Sequence, residues 1–244
     1  MIEVTYIDHM GSDLSVVNAA RVSFGKKREA LGTVTHGDKT SVVLHDTDRK
    51  LIKYLAKHRH MSPFGHAFAS FHIKAPVFVA RQLVKHKFLR WNEISRRYVS
   101  DEPEFYLPDN WREKAKDKKQ GSGSGFVNEL LCDDTDEYAD DKAYLADYWE
   151  MDTSSCVEDN VYSNTLMIYE ELLKNNVCPE QARMVLPQST MTEWYWSGSL
   201  DAFSDMCNLR CKPDTQAETR VVADAISKEM KELFQISWEA LRDE

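Results

Sequence analysis

The densest group of positive charges in the sequence lies between residues 81 and 97, around a single acid, Glu93. The cations of this segment are Arg81, Lys85, Lys87, Arg90, Arg96 and Arg97. Ammonium and guanidinium groups bind phosphate, and the polar run 92–95 adds an amide, a carboxylate and a hydroxyl that suit a base or a sugar. The segment therefore favours a nucleotide site, and a solvated basic face is the alternative.

Other chemistries have weaker support in the sequence. Four histidines fall within residues 58–72, but no Asp, Glu or Cys lies between them, so we expect no metal site. The chain has no GxSxG motif, and Cys178 precedes a proline without a matched histidine motif, so we expect no covalent nucleophile. The glycines of 121–125 lack GxGxxG spacing and follow charged residues, which predicts a flexible loop.

Composition limits the class of protein. The chain has 244 residues with 42% hydrophobic, enough for a core in a single domain over 1–244. Its net charge of −9 disfavours a nucleic-acid partner, because duplex binding depends on neutralising phosphates. No apolar run approaches a membrane span, and the start lacks a signal-peptide pattern, so we expect a cytoplasmic protein without a membrane partner. Five cysteines without a CxxC pair predict reduced thiols.

Hydrophobic periodicity places these residues on elements. In the first half a short apolar run over 4–7 is followed by a predicted helix over 14–22, a loop over 25–46, a helix over 48–57, a strand over 67–73 and a helix from Pro76 to about His86. In the second half the expected elements are a surface insertion over 109–155, helices over 161–173 and from Pro179, a strand over 190–196, a helix capped by Ser199 and a long helix capped by Asp214. Together they predict an α+β fold with a small, mostly antiparallel twisted sheet flanked by long helices.

Specific motifs carry a resemblance to a known family. The segment 85–87, Lys-His-Lys, followed by seven residues and Ser95, resembles the Arg-His-Arg-x7-Ser signature of flavin-dependent thymidylate synthases, with both arginines replaced by lysine. The run 92–98, Asn-Glu-Ile-Ser-Arg-Arg-Tyr, is similar to the next part of that signature. Further similar blocks follow the family's order, at 19–23, 60–66, 74–82, 181–187 and 208–210. The resemblance spans nearly the whole chain, and 109–155 is its least constrained part.

The resemblance implies an activity and a set of residues. It implies methylation of deoxyuridine monophosphate (dUMP), with methylenetetrahydrofolate as carbon donor and FAD reduced by NADPH, in a homotetramer with shared active sites. The implied nucleotide-binding residues are Gln82, Lys85, Glu93, Ser95, Arg96, Arg97, Arg183 and Arg210. Of these, the implied catalytic residues are Arg183, Arg210, Ser95 and Glu93, with both arginines nearest the pyrimidine. The implied flavin contacts are Ser23, Ser62, Lys85, His86, Lys87, Phe88 and Leu209.

The chain also departs from the family pattern. Lysine on either side of His86 keeps the charge but loses the bidentate fork of arginine. Gly65, Asp201 and Asp214 stand where members commonly have Glu, Arg and His, so we expect weaker contacts to the flavin. Two alternatives stay open: the same chemistry, transferring methyl or hydroxymethyl, on another pyrimidine deoxynucleotide, and a nucleotide-binding homologue without catalysis.

Overall fold

The computed structural model describes residues 1–36, 39–99, 101–116, 121–127 and 161–242. It forms two compact units, the first built from Met1–Ile94 with Thr192–Glu244 and the second from Ser95–Met191. The predicted single domain over 1–244 is not tested by this division and stays a prediction. The α+β class predicted from the sequence is confirmed.

The described elements are numbered in chain order. The strands are β1 (Glu3–Met10), β2 (Gly32–His36), β3 (Lys39–Val43), β4 (Phe68–Pro76), β5 (Leu89–Glu93), β6 (Trp111–Lys114), β7 (Ser122–Val127) and β8 (Met191–Ser199). The α-helices are α1 (Asp13–Arg21), α2 (Asp46–Lys57), α3 (Val77–Leu83), α4 (Ser163–Lys174), α5 (Pro179–Ala182), α6 (Leu200–Arg210), α7 (Ala217–Leu233) and α8 (Gln235–Leu241). Short 3-10 turns cover Val22–Phe24, Ser62–His66 and Arg183–Val185.

The first unit is built on a four-stranded sheet with the order β1-β4-β8-β5. The outer pairs are antiparallel, with Val4 opposite Ile73 and Trp91 opposite Trp196. The alternation predicted for β4 is confirmed, since Ala69, Phe71 and Ile73 are buried. Helices cover this buried face, and the ring of Phe203 on α6 packs edge-on against Phe71 and Trp196.

The prediction of a loop over 25–46 is wrong for part of that range. Strands β2 and β3 form an antiparallel hairpin, with Thr33 opposite Val42 and Thr35 opposite Thr40. Both strands are rich in β-branched residues, whose stiff side chains favour the extended backbone. That preference outweighs the glycine and lysine content on which the loop prediction rested.

The bounds of two predicted helices also differ from the structure. Helix α3 ends at Leu83 instead of near His86, and Pro76 is its N-cap. The predicted long last helix is two helices: α7 begins after Gln216, not after Asp214, and α8 follows Phe234. The carboxylate of buried Asp13 explains the division, because it accepts hydrogen bonds from the first N–H groups of α8, those of Ile236 at 3.1 Å and Ser237 at 2.9 Å. Ser199 occupies the predicted N-cap position of α6, but its side chain makes no cap hydrogen bond there.

The second unit contains the hairpin β6-β7 and helices α4 and α5. The predicted flexible loop over 121–125 is wrong, since most of it belongs to β7. A Cβ atom at Gly123 would lie 3.3 Å from two carbonyl oxygens of β6, so the glycine permits close strand approach. The rest of the predicted insertion, from residue 128, lies outside the described residues. Helices α4 and α5 confirm two predicted helices.

Candidate functional site

The cation-rich loop over 84–88 joins α3 to β5. Backbone N–H groups of Val84 and His86 donate to the carbonyls of Ala80 and Leu83, at 2.9 and 3.1 Å, so the chain leaves the helix in a tight turn. Phe88 then takes a left-handed conformation, with φ of 64°, which reverses the chain into β5. Lys85, Lys87 and Phe88 are exposed, and the Phe88 side chain is 84% exposed. A phenyl ring this exposed is available to a flat ligand.

Gly198 of β8 allows this loop to approach the sheet. It lies opposite Leu89, and a Cβ atom there would overlap the Leu89 side chain and lie 3.1 Å from the carbonyl oxygen of Phe88. A larger residue at 198 would require both the Leu89 side chain and the Phe88 carbonyl to move. Gly198 is thus a positioning residue that sequence reasoning missed, because the close approach depends on strand register.

His86 and Arg210 form the central polar contact of the first unit's candidate site. The Arg210 Nε donates to the His86 Nε2 at 3.0 Å, and the Arg210 Nη2 donates to the backbone carbonyl of Gln82 at 3.3 Å. Because Nε2 accepts this bond, the ring is neutral and carries its proton on Nδ1. The contact joins the end of α6 to the loop after α3.

The titration of both groups agrees with a neutral ring beside a charged guanidinium. Burial, and then the positive charge of Arg210, lower the pKa of His86 to about 4. Burial also lowers the pKa of the Arg210 guanidinium, which stays charged at neutral pH. The pair therefore places one fixed positive charge, and not two, beside the loop.

Gln82 is bonded on its other side to a residue that the sequence did not indicate. Its side-chain Nε2 donates to the Oε1 of Gln216, the N-cap residue of α7. The backbone and side chain of Gln82 thus link three helices, α3, α6 and α7. A glutamine just before a helix carries no recognisable signal, so Gln216 could be found only in the fold.

Glu93 ends β5, and its carboxylate accepts one hydrogen bond from an indole N–H and one from a hydroxyl group. The Trp91 Nε1 donates to Oε2 at 3.0 Å and the Thr192 Oγ1 donates to Oε1 at 2.7 Å. Trp91 in turn stacks on buried Trp194 with ring centroids 4.4 Å apart. The carboxylate is therefore fixed in orientation by aromatic packing, as a ligand-binding acceptor must be. Neither Trp91 nor Thr192 was among the predicted site residues.

Three of the predicted nucleotide-binding residues follow one another in the second unit. The Ser95 Oγ accepts bonds from Arg97, from its backbone N–H at 3.4 Å and its Nε at 3.2 Å. Arg97 also lies over the ring of Tyr98, 5.0 Å from its centroid. Arg96 donates from Nη1 to the carbonyl of Asp101 at 2.6 Å. Ser95 thus meets a cation, which suits a ligand-binding hydroxyl better than an activated nucleophile.

Arg183 also belongs to the second unit. It begins the 3-10 turn Arg183–Val185 directly after buried Ala182, which anchors α5. Its side chain is exposed within that unit, as is that of Met184. An exposed arginine on a short anchored turn fits either a ligand-binding role or a solvated surface position, so its predicted role stays a prediction.

Comparisons with known proteins identify the family. The family model described as thymidylate synthase complementing protein matches residues 5–234. A flavin-dependent thymidylate synthase of Thermus thermophilus is 37% identical over 240 residues, covering 98% of this chain and 75% of that protein. One from Thermosipho africanus is 35% identical, covering 96% of this chain and 88% of that protein. The chain belongs to the flavin-dependent thymidylate synthase family.

A solved structure supports the same assignment. The UMP/dUMP methylase PolB from Streptomyces cacaoi, bound with 5-Br dUMP, superposes with a TM-score of 0.73 at 28% identity. The match covers 98% of this chain and 94% of that chain. The predictions of the family, the α+β fold and an enzyme of the methyltransferase class are therefore confirmed.

The residues predicted to contact the flavin all lie in the first unit. Ser23 and Ser62 are exposed residues on 3-10 turns, and Leu209 is 50% exposed on α6. The turn of Ser23 follows Arg21, which pairs with the fully buried carboxylate of Asp48. Together with the exposed ammonium groups and phenyl ring of 85–88, these hydroxyls offer the donors and the flat surface that a flavin nucleotide requires. The residue types therefore fit the cofactor implied by the family's name.

The departures from the family pattern have local structural consequences. Asp201 lies in the first turn of α6, where its charge is favourable to the helix dipole. Asp214 is exposed in the connection before α7. Gly65 lies within the turn Ser62–His66, and nothing is within 4 Å of the place a Cβ atom would take there. A larger residue therefore fits at 65 without repacking.

The described residues contain neither a metal-binding cluster nor a helix that could span a membrane. Within the described ranges, no group of three or more metal-binding side chains is close enough to hold an ion. The histidines of 58–72 make other contacts: His72 pairs with Glu193 at 3.0 Å, and the His58 and His60 rings lie against Tyr54. No described helix combines the length and apolar character needed to cross a membrane.

Proposed function

We propose that this protein methylates dUMP to dTMP, with methylenetetrahydrofolate as carbon donor and with FAD, reduced by NADPH, as hydride carrier. The observation that carries the proposal is the Arg210 guanidinium held between His86 and the Gln82 carbonyl, in a chain of this family. A cation that is fixed before the ligand arrives needs no reorganisation during the reaction. That property suits a pyrimidine ring that must become nucleophilic.

Arg210 would act on the pyrimidine. Its Nε and one Nη2 hydrogen are used by the two contacts described, and Nη1 takes part in neither. A guanidinium beside a pyrimidine carbonyl stabilises the negative charge that collects on that oxygen when C5 attacks an electrophile. The neutral state of His86 matters here, because a protonated ring could not accept the bond that orients Arg210.

The nucleotide phosphate and the flavin would use the remaining cations. We assign Ser95, Arg96, Arg97 and Arg183 to the nucleotide. The exposed Lys85 and Lys87 could bind either the nucleotide phosphate or the flavin nucleotide. FAD, when bound, would supply the hydride and the route for the one-carbon unit. Phe88, His86, Ser23, Ser62 and Leu209 would hold it.

We also propose the homotetramer implied by the family resemblance. The sheet face opposite the helices carries Ser70 and His72 of β4, which meet Ser197 and Tyr195 of β8. The same face carries two exposed aromatic side chains, Phe68 at 38% and Tyr195 at 52%. Exposed aromatics on a sheet face are typical of a surface that another chain covers. Light scattering on the purified protein measures the mass directly, and a monomer would contradict this proposal.

The predicted cytoplasmic location, and the predicted absence of nucleic-acid and membrane partners, stay predictions.

The deciding experiment combines colour with turnover. Purified protein reconstituted with FAD should be yellow, should lose its absorbance when NADPH is added anaerobically, and should convert dUMP to dTMP when methylenetetrahydrofolate is present. Failure to bind FAD after reconstitution would favour the non-catalytic homologue. Binding of FAD without formation of dTMP would contradict the proposed substrate and leave the flavoprotein assignment standing.

A second candidate substrate follows from the structural neighbour. That protein is a UMP/dUMP methylase, and this chain carries lysines in place of the signature arginines. Parallel assays with dUMP, UMP and dCMP, followed by the mass of each product, separate these substrates. The mass also distinguishes transfer of a methyl group from transfer of a hydroxymethyl group.

A further inference from the structure

A second polar cleft lies at the end of α6, and its lining residues differ from those proposed for the nucleotide and the flavin. The cleft has a volume of about 390 Å³. Its polar lining includes Cys207, Asn208, Cys211, Lys212, Asp224 and Arg242. The cleft thus combines two thiols with two cations and one carboxylate, and the proposed methyl transfer uses none of them.

The two thiols differ in access. The backbone N–H of Cys211 donates to the Cys207 carbonyl at 2.9 Å, and the two sulfur atoms are within hydrogen-bond distance of each other. Cys207 is fully buried, and its S–H can donate either to the Ala223 carbonyl, at 3.5 Å, or to the sulfur of Cys211. Cys211 is half-buried at the cleft. The accessible sulfur is therefore that of Cys211, with a buried thiol beside it as hydrogen-bond donor.

A fixed cation belongs to the same cleft. The Arg242 Nη1 donates to the Asn208 Oδ1 at 2.9 Å, and the guanidinium lies 5.8 Å from the centre of the Trp238 ring. Asn208 is itself held, since its Nδ2 donates to the Leu241 carbonyl at 2.9 Å. Chiefly the hydrogen bond from Cys207, and also the charge of Arg242, lower the pKa of the Cys211 thiol against the opposing effects of burial and Asp224. Burial raises the pKa of Cys207.

We propose that Cys211 is a site of covalent modification by small, negatively charged disulfides. The Cys211 thiol gives its proton to water, and the thiolate attacks one sulfur of the disulfide. The reagent's S–S bond breaks, one half stays on Cys211 as a mixed disulfide and the other half leaves as a thiolate. Cys211 is oxidised and the leaving half is reduced. Arg242 and Lys212 attract the carboxylates of the reagent into the cleft.

The test measures the rate of modification at each cysteine of the whole protein. The probes are oxidised glutathione and 5,5′-dithiobis(2-nitrobenzoate), both anionic disulfides, and 4,4′-dithiodipyridine as a neutral one. Peptide mass mapping over time gives the ratio of the Cys211 rate to that of Cys178, an exposed thiol that serves as internal reference. We expect the ratio to be at least about threefold higher with the anionic probes, because a local cation concentrates anions.

Variants of Arg242 and Cys207 decide the mechanism. Arg242→Gln should lower the ratio with anionic probes about threefold or more, and Arg242→Lys should restore part of it. Cys207→Ala should slow the modification of Cys211, whereas Cys207→Ser, which keeps a hydrogen-bond donor, should slow that modification less. Thermal unfolding checks that each variant is folded. A Cys211 that stays unmodified in the native protein, or a ratio unchanged by a folded Arg242→Gln, would overturn the proposal.

Discussion

Two polar centres of the first unit, a half-buried one at His86 and a buried one at Asp13, show how a site differs from a structural contact. The His86–Arg210 pair is flanked by exposed Lys85 and Lys87, so its charge can reach a ligand. The Asp13 carboxylate is 5% exposed and meets backbone N–H groups at the start of α8, so its charge serves the fold alone. Hydrogen bonds of similar length therefore serve a ligand site in one place and the fold in the other, and the exposure of the surrounding residues decides which.

The strongest test of this contrast is removal of the guanidinium. Arg210→Ala should lower the rate of methylation by about 10²–10³, because it removes a preorganised positive charge from the reacting centre. The temperature of unfolding should change little, since Arg210 is partly exposed and its loss leaves only His86 and one carbonyl without a donor. Steady-state kinetics and calorimetry measure the two effects. An unchanged rate constant would show that Arg210 takes no part in the reaction.

Asp13→Ala should give the opposite result, with a loss of stability and a smaller effect on chemistry. The change leaves the N–H groups of Ile236 and Ser237 without their acceptor in a buried position, which costs about 2–4 kcal/mol in the free energy of unfolding. Urea denaturation measures the loss. Asp13→Asn is the matched control, because it keeps one acceptor oxygen and should lose less.

The same carboxylate gives a pH dependence of defined sign. Burial raises the pKa of Asp13 above its ordinary value of 3.8, against the hydrogen bonds from Ser237 and Ile236 and the charge of Arg49. Between those two pKa values the folded state binds more protons than the unfolded state, so this contribution to stability falls as the pH rises through the folded-state pKa. Asp13→Asn should remove that part of the pH dependence. A variant with an unaltered pH profile would show that the Asp13 carboxylate does not titrate within the window.

Parts of both centres could be predicted from the sequence, but the hydrogen bonds that join their residues could not. The alternation in 67–73 and the cap at Ser199 are local signals, and both correspond to elements of the fold. The signature around His86 and the block at Arg210 indicate that both residues matter, but 124 positions separate them and no spacing rule predicts their bond. Likewise Asp13, 223 positions away from Ile236, sets the start of α8.

His86 itself sharpens the comparison, because its role depends on being neutral. His86→Gln keeps a side chain that can accept from Arg210, whereas His86→Ala removes the acceptor and should lower the rate about tenfold through the loss of one oriented hydrogen bond. With its pKa lowered to about 4, the ring should be neutral at pH 6, with the proton on Nδ1. Nitrogen NMR of the imidazole measures that tautomer. A ring that is protonated at pH 6 would contradict the Arg210 contact.

The smallest expected effect concerns the exposed lysines beside His86. Changing Lys85→Arg and Lys87→Arg together restores the family signature and adds bidentate donors and flat stacking surfaces, so FAD should bind a few-fold more tightly, about 1 kcal/mol. Flavin fluorescence on titration measures the change, and Lys50→Arg on α2 controls for an added guanidinium elsewhere. Because both lysines are exposed, the substitutions should leave the unfolding temperature unchanged. Weaker FAD binding by the double variant would mean that the tight turn after Leu83 requires the compact ammonium groups. The two lysines would then serve the backbone geometry of the loop and not the binding of anions.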